Sequence, residues 1–138
     1  MSKTFHLTVM SAERKYFDGD AEEIVFSTPV GRMGVLPGHM PLIAAVKEDV
    51  MNVTCEGTMR VAAVSQGFAE IGGQDVELFV DSFEWADEID ANRARAALES
   101  AQVRIKAAND KVRYTRDVAA INRAMARLKA INSLQDRD

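Results

Sequence analysis

Phe5, Leu7 and Val9 alternate with His6 and Thr8, so the chain opens on a period-two pattern. Successive strand side chains point to opposite faces, and this alternation predicts one half-buried strand. Ile24-Val25-Phe26 predicts another, ended by Pro29-Val30-Gly31, and Asp18-Gly19 before it reads as a turn. Val50 to Thr54, Met59 to Ser65, Phe68 to Ile71 and Val76 to Val80 predict further strands. Glu56-Gly57, Gln66-Gly67 and Gly72-Gly73-Gln74-Asp75 separate them as short hairpin connections. The rhythm then changes. Ala94, Leu98, Ala101, Ile105 and Ala108 recur at steps of four and three, preceded by Ile89, and Tyr114, Val118, Ile121, Met125 and Leu128 repeat the spacing. Asn109 and Asp110 interrupt it, which predicts an antiparallel helical hairpin with a short connection. Short strands with glycine turns and no helix among them predict a sandwich or small barrel and disfavour a doubly wound nucleotide fold.

Composition sharpens the division. All eight glycines lie between Gly19 and Gly73, and all three prolines between Pro29 and Pro41. Their absence from the remaining residues permits long helices. Residues 1–83 carry 6 basic and 12 acidic side chains, whereas residues 91–138 carry 11 basic and 5 acidic, so the formal net charge of -4 hides opposite local signs. Twelve of residues 91–138 are alanine, which favours helix and close approach but buries little area. The hairpin should therefore hold its helices well and dock weakly, either as a detachable element or as a thin buttress. A single cysteine, Cys55, excludes a disulfide scaffold, and the lack of an 18-residue apolar run excludes a membrane-spanning helix. The N-terminal residues lack a signal-peptide apolar stretch and transit-peptide character, so a cytoplasmic-side protein is expected.

The search for reaction chemistry finds no catalytic residue and no metal set. His6 sits in an ordinary strand pattern far from His39, and Cys55 has no CxxC partner. Ser65 precedes Gln66-Gly67-Phe68, which is not a nucleophile elbow. Gly31-Arg32-Met33-Gly34 lacks both the third glycine of GxGxxG and a Gly-Lys-Ser/Thr ending, and reads as a turn. Glu84, Asp87, Glu88 and Asp90 read as an acidic helix start favoured by the helix dipole. The extended feature left is cationic: Arg93, Arg95, Arg104, Lys106, Lys111, Arg113, Arg116, Arg123, Arg127 and Lys129 could address RNA, acidic lipid, phosphate or an acidic protein surface, or simply solubilise the helices. Few aromatics accompany them, which argues against nucleic acid.

Val35-Leu36-Pro37-Gly38-His39-Met40-Pro41-Leu42 resembles the PGHxPL signature of the epsilon subunit of F-type ATP synthases, called delta in mitochondria. Phe17-Asp18-Gly19-Asp20-Ala21 resembles that family's early turn motif, and Gly67-Phe68-Ala69-Glu70-Ile71 its GFxE-type strand. Glu88-Ile89-Asp90-Ala91-Asn92-Arg93-Ala94 and Arg123-Ala124-Met125-Ala126-Arg127-Leu128 resemble its two helical motifs. The resemblance implies a mainly β N-terminal ten-stranded sandwich, residues 1–84, binding gamma and the c-ring, then an antiparallel α-helical hairpin, residues 85–138, that regulates. It implies a non-catalytic central-stalk rotor subunit coupling transmembrane ion flow to rotary ATP synthesis. It also implies inhibition of ATP hydrolysis when the hairpin extends toward the alpha and beta subunits. Such a subunit lies at the cytoplasmic side of the cell membrane, held there through the complex, with no nucleic-acid partner.

The same resemblance assigns contacts. Arg32, Pro37, Gly38 and His39 fall at positions facing the c-ring or gamma, although Arg32 is basic where relatives are often acidic. Pro37 fixes φ, Gly38 permits a bend and Pro41 holds Met40 extended, so the segment should be stiff. Glu84, Ile89, Asp90, Arg93, Ala94, Arg123 and Arg127 match positions that bind ATP in some bacterial relatives, while Ser100 replaces a further arginine there. No cofactor is required on this reading; ATP, with or without magnesium, is a regulatory ligand. The alternative is an ATP-sensing or phosphate-binding module with the hairpin as its site.

Overall fold

The computed structural model describes residues 3–108 and 110–135. Ten strands form two five-stranded sheets, followed by a short 3-10 turn and two helices. The strands are β1 (Phe5–Met10), β2 (Lys15–Ala21), β3 (Glu23–Thr28), β4 (Gly31–Val35) and β5 (Leu42–Val46), then β6 (Asp49–Cys55), β7 (Thr58–Val64), β8 (Gly67–Ile71), β9 (Asp75–Val80) and β10 (Phe83–Trp85). One sheet has the order β2-β1-β9-β8-β5 and the other β10-β7-β6-β3-β4. All pairings are antiparallel except β1 with β9. The inward faces of both sheets meet around Phe5, Leu7, Ile24, Phe26, Met51, Val53, Val76 and Leu78, all at most 2% exposed. Each such side chain contributes roughly 1.5–3 kcal/mol of hydrophobic stabilisation.

Three local features correct the sequence reading. Asp18-Gly19 is no turn but the middle of β2, where Thr8 faces Asp18 and Leu7 faces Gly19. The chain reverses earlier, at Ser11, whose hydroxyl accepts from the N–H groups of Glu13 and Arg14. Asp18 holds Lys15 at 2.9 Å and His6 at 2.6 Å, which fixes the polar face of the strand. Gln66-Gly67 is not a hairpin either, because β7 and β8 lie in different sheets. A Cβ at Gly67 would meet the Phe79 carbonyl oxygen at 2.0 Å, so this crossing requires the missing side chain. The Glu56-Gly57 hairpin is as expected, with φ of 50° and 77° matching a type I′ turn. Gly31-Arg32-Met33-Gly34 belongs to β4, with only Gly31 at the bend.

The helices are α1 (Ala91–Lys106) and α2 (Lys111–Gln135), reached through the 3-10 turn Ala86–Glu88. Asp90 caps α1 by accepting the Arg93 N–H at 3.1 Å, and Asp110 accepts the Arg113 N–H at 2.8 Å at the start of α2. Asn109, part of the expected interruption, lies outside the described residues. Ala94 and Ala101 are the buried residues of α1, on the expected face. On α2 the expected face is displaced: Tyr114 and Met125 are exposed, whereas Ala124, Ala126, Ala130 and Ile131 are buried. Helix α2 serves two neighbours at once, α1 and the sheet, and close approach to both selects small side chains over large ones.

Candidate functional site

The segment Leu36–Pro41 carries the chain from the edge strand of one sheet to the edge strand of the other. Gly38 has a φ of +86°, a left-handed conformation that suits glycine, and its N–H donates to the Gly73 carbonyl at 2.9 Å. The His39 N–H closes back on the Leu36 carbonyl at 3.2 Å, and its Nδ1 lies 2.8 Å from the Met40 carbonyl oxygen. Leu36 and Met40 are exposed on this loop, and Leu42, Ile43 and Phe68 extend the apolar surface along β5 and β8. Phe68 stacks on Phe79 with ring centroids 4.8 Å apart. Ile43, at 70% exposure, and Met40, at 73%, are costly to leave in water unless another surface covers them.

Arg32 does not join that loop. It pairs with Ser27 near the opposite end of β4, on the sheet face that carries the hairpin. Its guanidinium donates to Ser27 Oγ at 3.0 Å and to the Val50 carbonyl at 2.6 Å. Of the four expected contact residues, Pro37, Gly38 and His39 therefore share one loop and Arg32 stands apart.

Helix α2 rests on β6, β7 and the 3-10 turn. Ala126 and Ala130 pack on Val50, Val61, Ala63 and Ala86, with Ile89 at the margin. A buried alanine methyl is worth about 0.8 kcal/mol, so this contact is much weaker per residue than the sandwich core. Two ion pairs clamp it. Arg127 Nε donates to Glu84 at 2.7 Å, and Lys129 Nζ donates to Asp49 at 2.8 Å. Asp49 also accepts from the Ser27 hydroxyl at 2.6 Å and from the Val50 N–H at 2.8 Å.

The expected nucleotide residues are thus distributed. Glu84 and Arg127 hold each other, Asp90 is a helix cap, Ile89 is packing, Ala94 is buried between the helices, and Arg93 and Arg123 are exposed. Arg104 reaches back to Ser100 Oγ at 2.6 Å and across to Asp117 at 3.2 Å, tying α1 to α2. Beside that bridge, Arg104, Arg113, Arg116 and Arg123 line an interhelical cleft of about 490 Å³ against one carboxylate, Asp117. Asp49, Ser27 and Asp117 escaped the sequence reading because their partners lie 80, 22 and 13 positions away. The cations of the cleft were visible only as a helical charge run.

The reactive-looking residues have structural occupations. Ser65 Oγ accepts from the N–H groups of Asp81 and Ser82 at 2.8 and 2.9 Å. Burial pushes the Cys55 thiol above its ordinary range, which suppresses the nucleophilic thiolate. Among the described residues, no three His, Cys, Asp or Glu side chains converge as a metal ion requires. No helix of the described residues is long and apolar enough to cross a membrane.

These features define the class: a β-sandwich with exposed apolar residues along β5 and β8, carrying a helical hairpin clamped on β6 and β7. The family model described as ATP synthase, Delta/Epsilon chain, beta-sandwich domain matches residues 4–86, and that of the long alpha-helix domain matches residues 87–132. The chain belongs to this delta/epsilon family of ATP synthase subunits. The ATP synthase epsilon chain of Ruminiclostridium cellulolyticum is 40% identical over 129 residues, covering 94% of this chain and 96% of that relative. That of Caldanaerobacter subterraneus subsp. tengcongensis is 36% identical over 137 residues, covering 99% of each. The fold is similar, with a TM-score of 0.78 and 21% identity, to a chain in the structure of the Euglena gracilis mitochondrial ATP synthase OSCP/F1/c-ring in rotational state 1, covering 96% of this chain and 81% of that one.

Proposed function

We propose that this chain is a central-stalk rotor subunit that docks on gamma and the c-ring and couples ion flow to rotary ATP synthesis without performing bond chemistry itself. The exposed strip of Leu36, Met40, Ile43 and Phe68 is the observation that carries this reading. An apolar surface of this kind is suited to a permanent partner. The loop containing Pro37, Gly38 and His39 presents the ring contact, its shape held by the Gly38–Gly73 hydrogen bond. The complex keeps the chain at the cytoplasmic face of the cell membrane. The hairpin restrains ATP hydrolysis by reaching the alpha and beta subunits when it leaves the sandwich. Ile43→Glu combined with Phe68→Glu should lower co-purification with gamma by at least about tenfold, since two charges would be buried in an apolar contact. Undiminished recovery of gamma with the folded double variant would overturn the docking surface.

A second reading is favoured by the arginine-lined cleft, whose four guanidinium groups suit the phosphates of ATP. Magnesium would accompany the nucleotide rather than be held by a protein site. Calorimetric titration should show saturable binding at millimolar ATP or below, lost in Arg116→Ala plus Arg123→Ala. Absence of saturation would exclude a nucleotide sensor.

A further inference from the structure

A single line of hydrogen bonds runs from the edge of the sandwich to the hairpin. Arg32 on β4 donates to Ser27 Oγ on β3, Ser27 donates to Asp49 on β6, and Asp49 accepts from Lys129 on α2. We propose that Arg32 is a positioning residue for hairpin docking, acting through Ser27 and Asp49 on the Lys129 contact. The inference concerns contacts within the chain and does not depend on the partner proposed above.

The direction of each hydrogen bond supplies the coupling. A serine hydroxyl has one proton, and with Arg32 occupying its oxygen as donor, that proton is directed at Asp49 Oδ2. Hydrogen bonds in series polarise one another, so the cation at Arg32 strengthens the grip on the carboxylate. Asp49 Oδ1 accepts from both the Val50 N–H and Lys129, which leaves the carboxylate little freedom to turn. Lys129 is 61% exposed in its side chain, and an exposed ammonium gains little from a mobile carboxylate. A carboxylate fixed in advance removes part of that entropic cost. Arg32 is itself exposed and forms no ion pair among the described residues, so its charge is shared between the Val50 carbonyl and this line. An acidic group presented to Arg32 from outside would compete for the guanidinium and loosen the hairpin. The β3–β4 edge and the docked state of α2 are therefore energetically linked.

Hydrogen exchange on the full chain tests this link. Arg32→Gln should speed exchange of α2 amides between Ala124 and Ser133 by about fivefold, the part of the lost Ser27 and Val50 hydrogen bonds that reaches the hairpin. Amides of β1 and β9 should be unchanged, and Arg32→Lys should restore most of the protection. Lys129→Gln should speed the same α2 amides, and adding Arg32→Gln to it should produce less than about a further twofold change. Wild-type exchange in Arg32→Gln, multiplicative effects of the two substitutions, or equal loss of protection in β1 and β9 would each overturn the proposal.

Discussion

Two adjacent carboxyl groups, Glu48 and Asp49, are shifted in opposite directions although the cations of the hairpin favour ionisation of both. Burial raises Glu48 above its ordinary range, and the positive charges of Arg123 and Arg127 only partly oppose it. Burial acts on Asp49 too, but hydrogen bonds from Lys129, Ser27 and the Val50 N–H outweigh it and bring the group down to about 2. A carboxyl lowered in the folded state stabilises fully above its unfolded value and loses that contribution as pH falls through the folded one. The Asp49 contribution is therefore present above about pH 4 and fades toward pH 2, while protonation of Glu48 at higher pH acts the other way. After allowance for the exposed ammonium, the Lys129–Asp49 contact is worth on the order of 1 kcal/mol, or about 3–5 °C in Tm. Thermal unfolding of Lys129→Ala should show that deficit at pH 6 and a much smaller one near pH 2; a deficit independent of pH would contradict it.

At the scale of elements, the strands with clean alternation were legible and the others were not. Phe5–Val9 announces β1 because each inward residue is large and apolar. β2 is concealed because Asp18-Gly19 has the composition of a turn, and only its backbone pairing with β1 makes it a strand. β4 and β5 flank a loop whose prolines and glycine dominate the local signal, so resemblance, rather than periodicity, brought the strand number to ten. The candidate loop was legible for the same reason, since Pro37, Gly38 and Pro41 restrict backbone shape whatever surrounds them. The face of α2 was not, because alanines satisfy two neighbours while Tyr114 and Met125 point to solvent. The contact so made is thin, and the proposed role in hydrolysis needs the hairpin to leave it. Removal of residues 91–138 should raise ATP hydrolysis of the reconstituted complex several-fold while leaving ion-driven synthesis in place, provided the hairpin restrains hydrolysis. Unchanged hydrolysis would remove that role.

The whole molecule is asymmetric in charge, packing and surface. Its β body is acidic and closely packed, with exposed apolar residues along β5 and β8; its helical part is basic, alanine-rich and clamped to β10 and β6 by two ion pairs. The most direct measurement of the docking role is ion-driven ATP synthesis by membranes whose ATP synthase has been stripped of this subunit and given back the purified chain. Restored synthesis with the wild-type chain, and little with the Ile43→Glu, Phe68→Glu variant, is the expected result. No restoration by the wild-type chain despite its stable binding to the complex would contradict the role of a coupling rotor subunit.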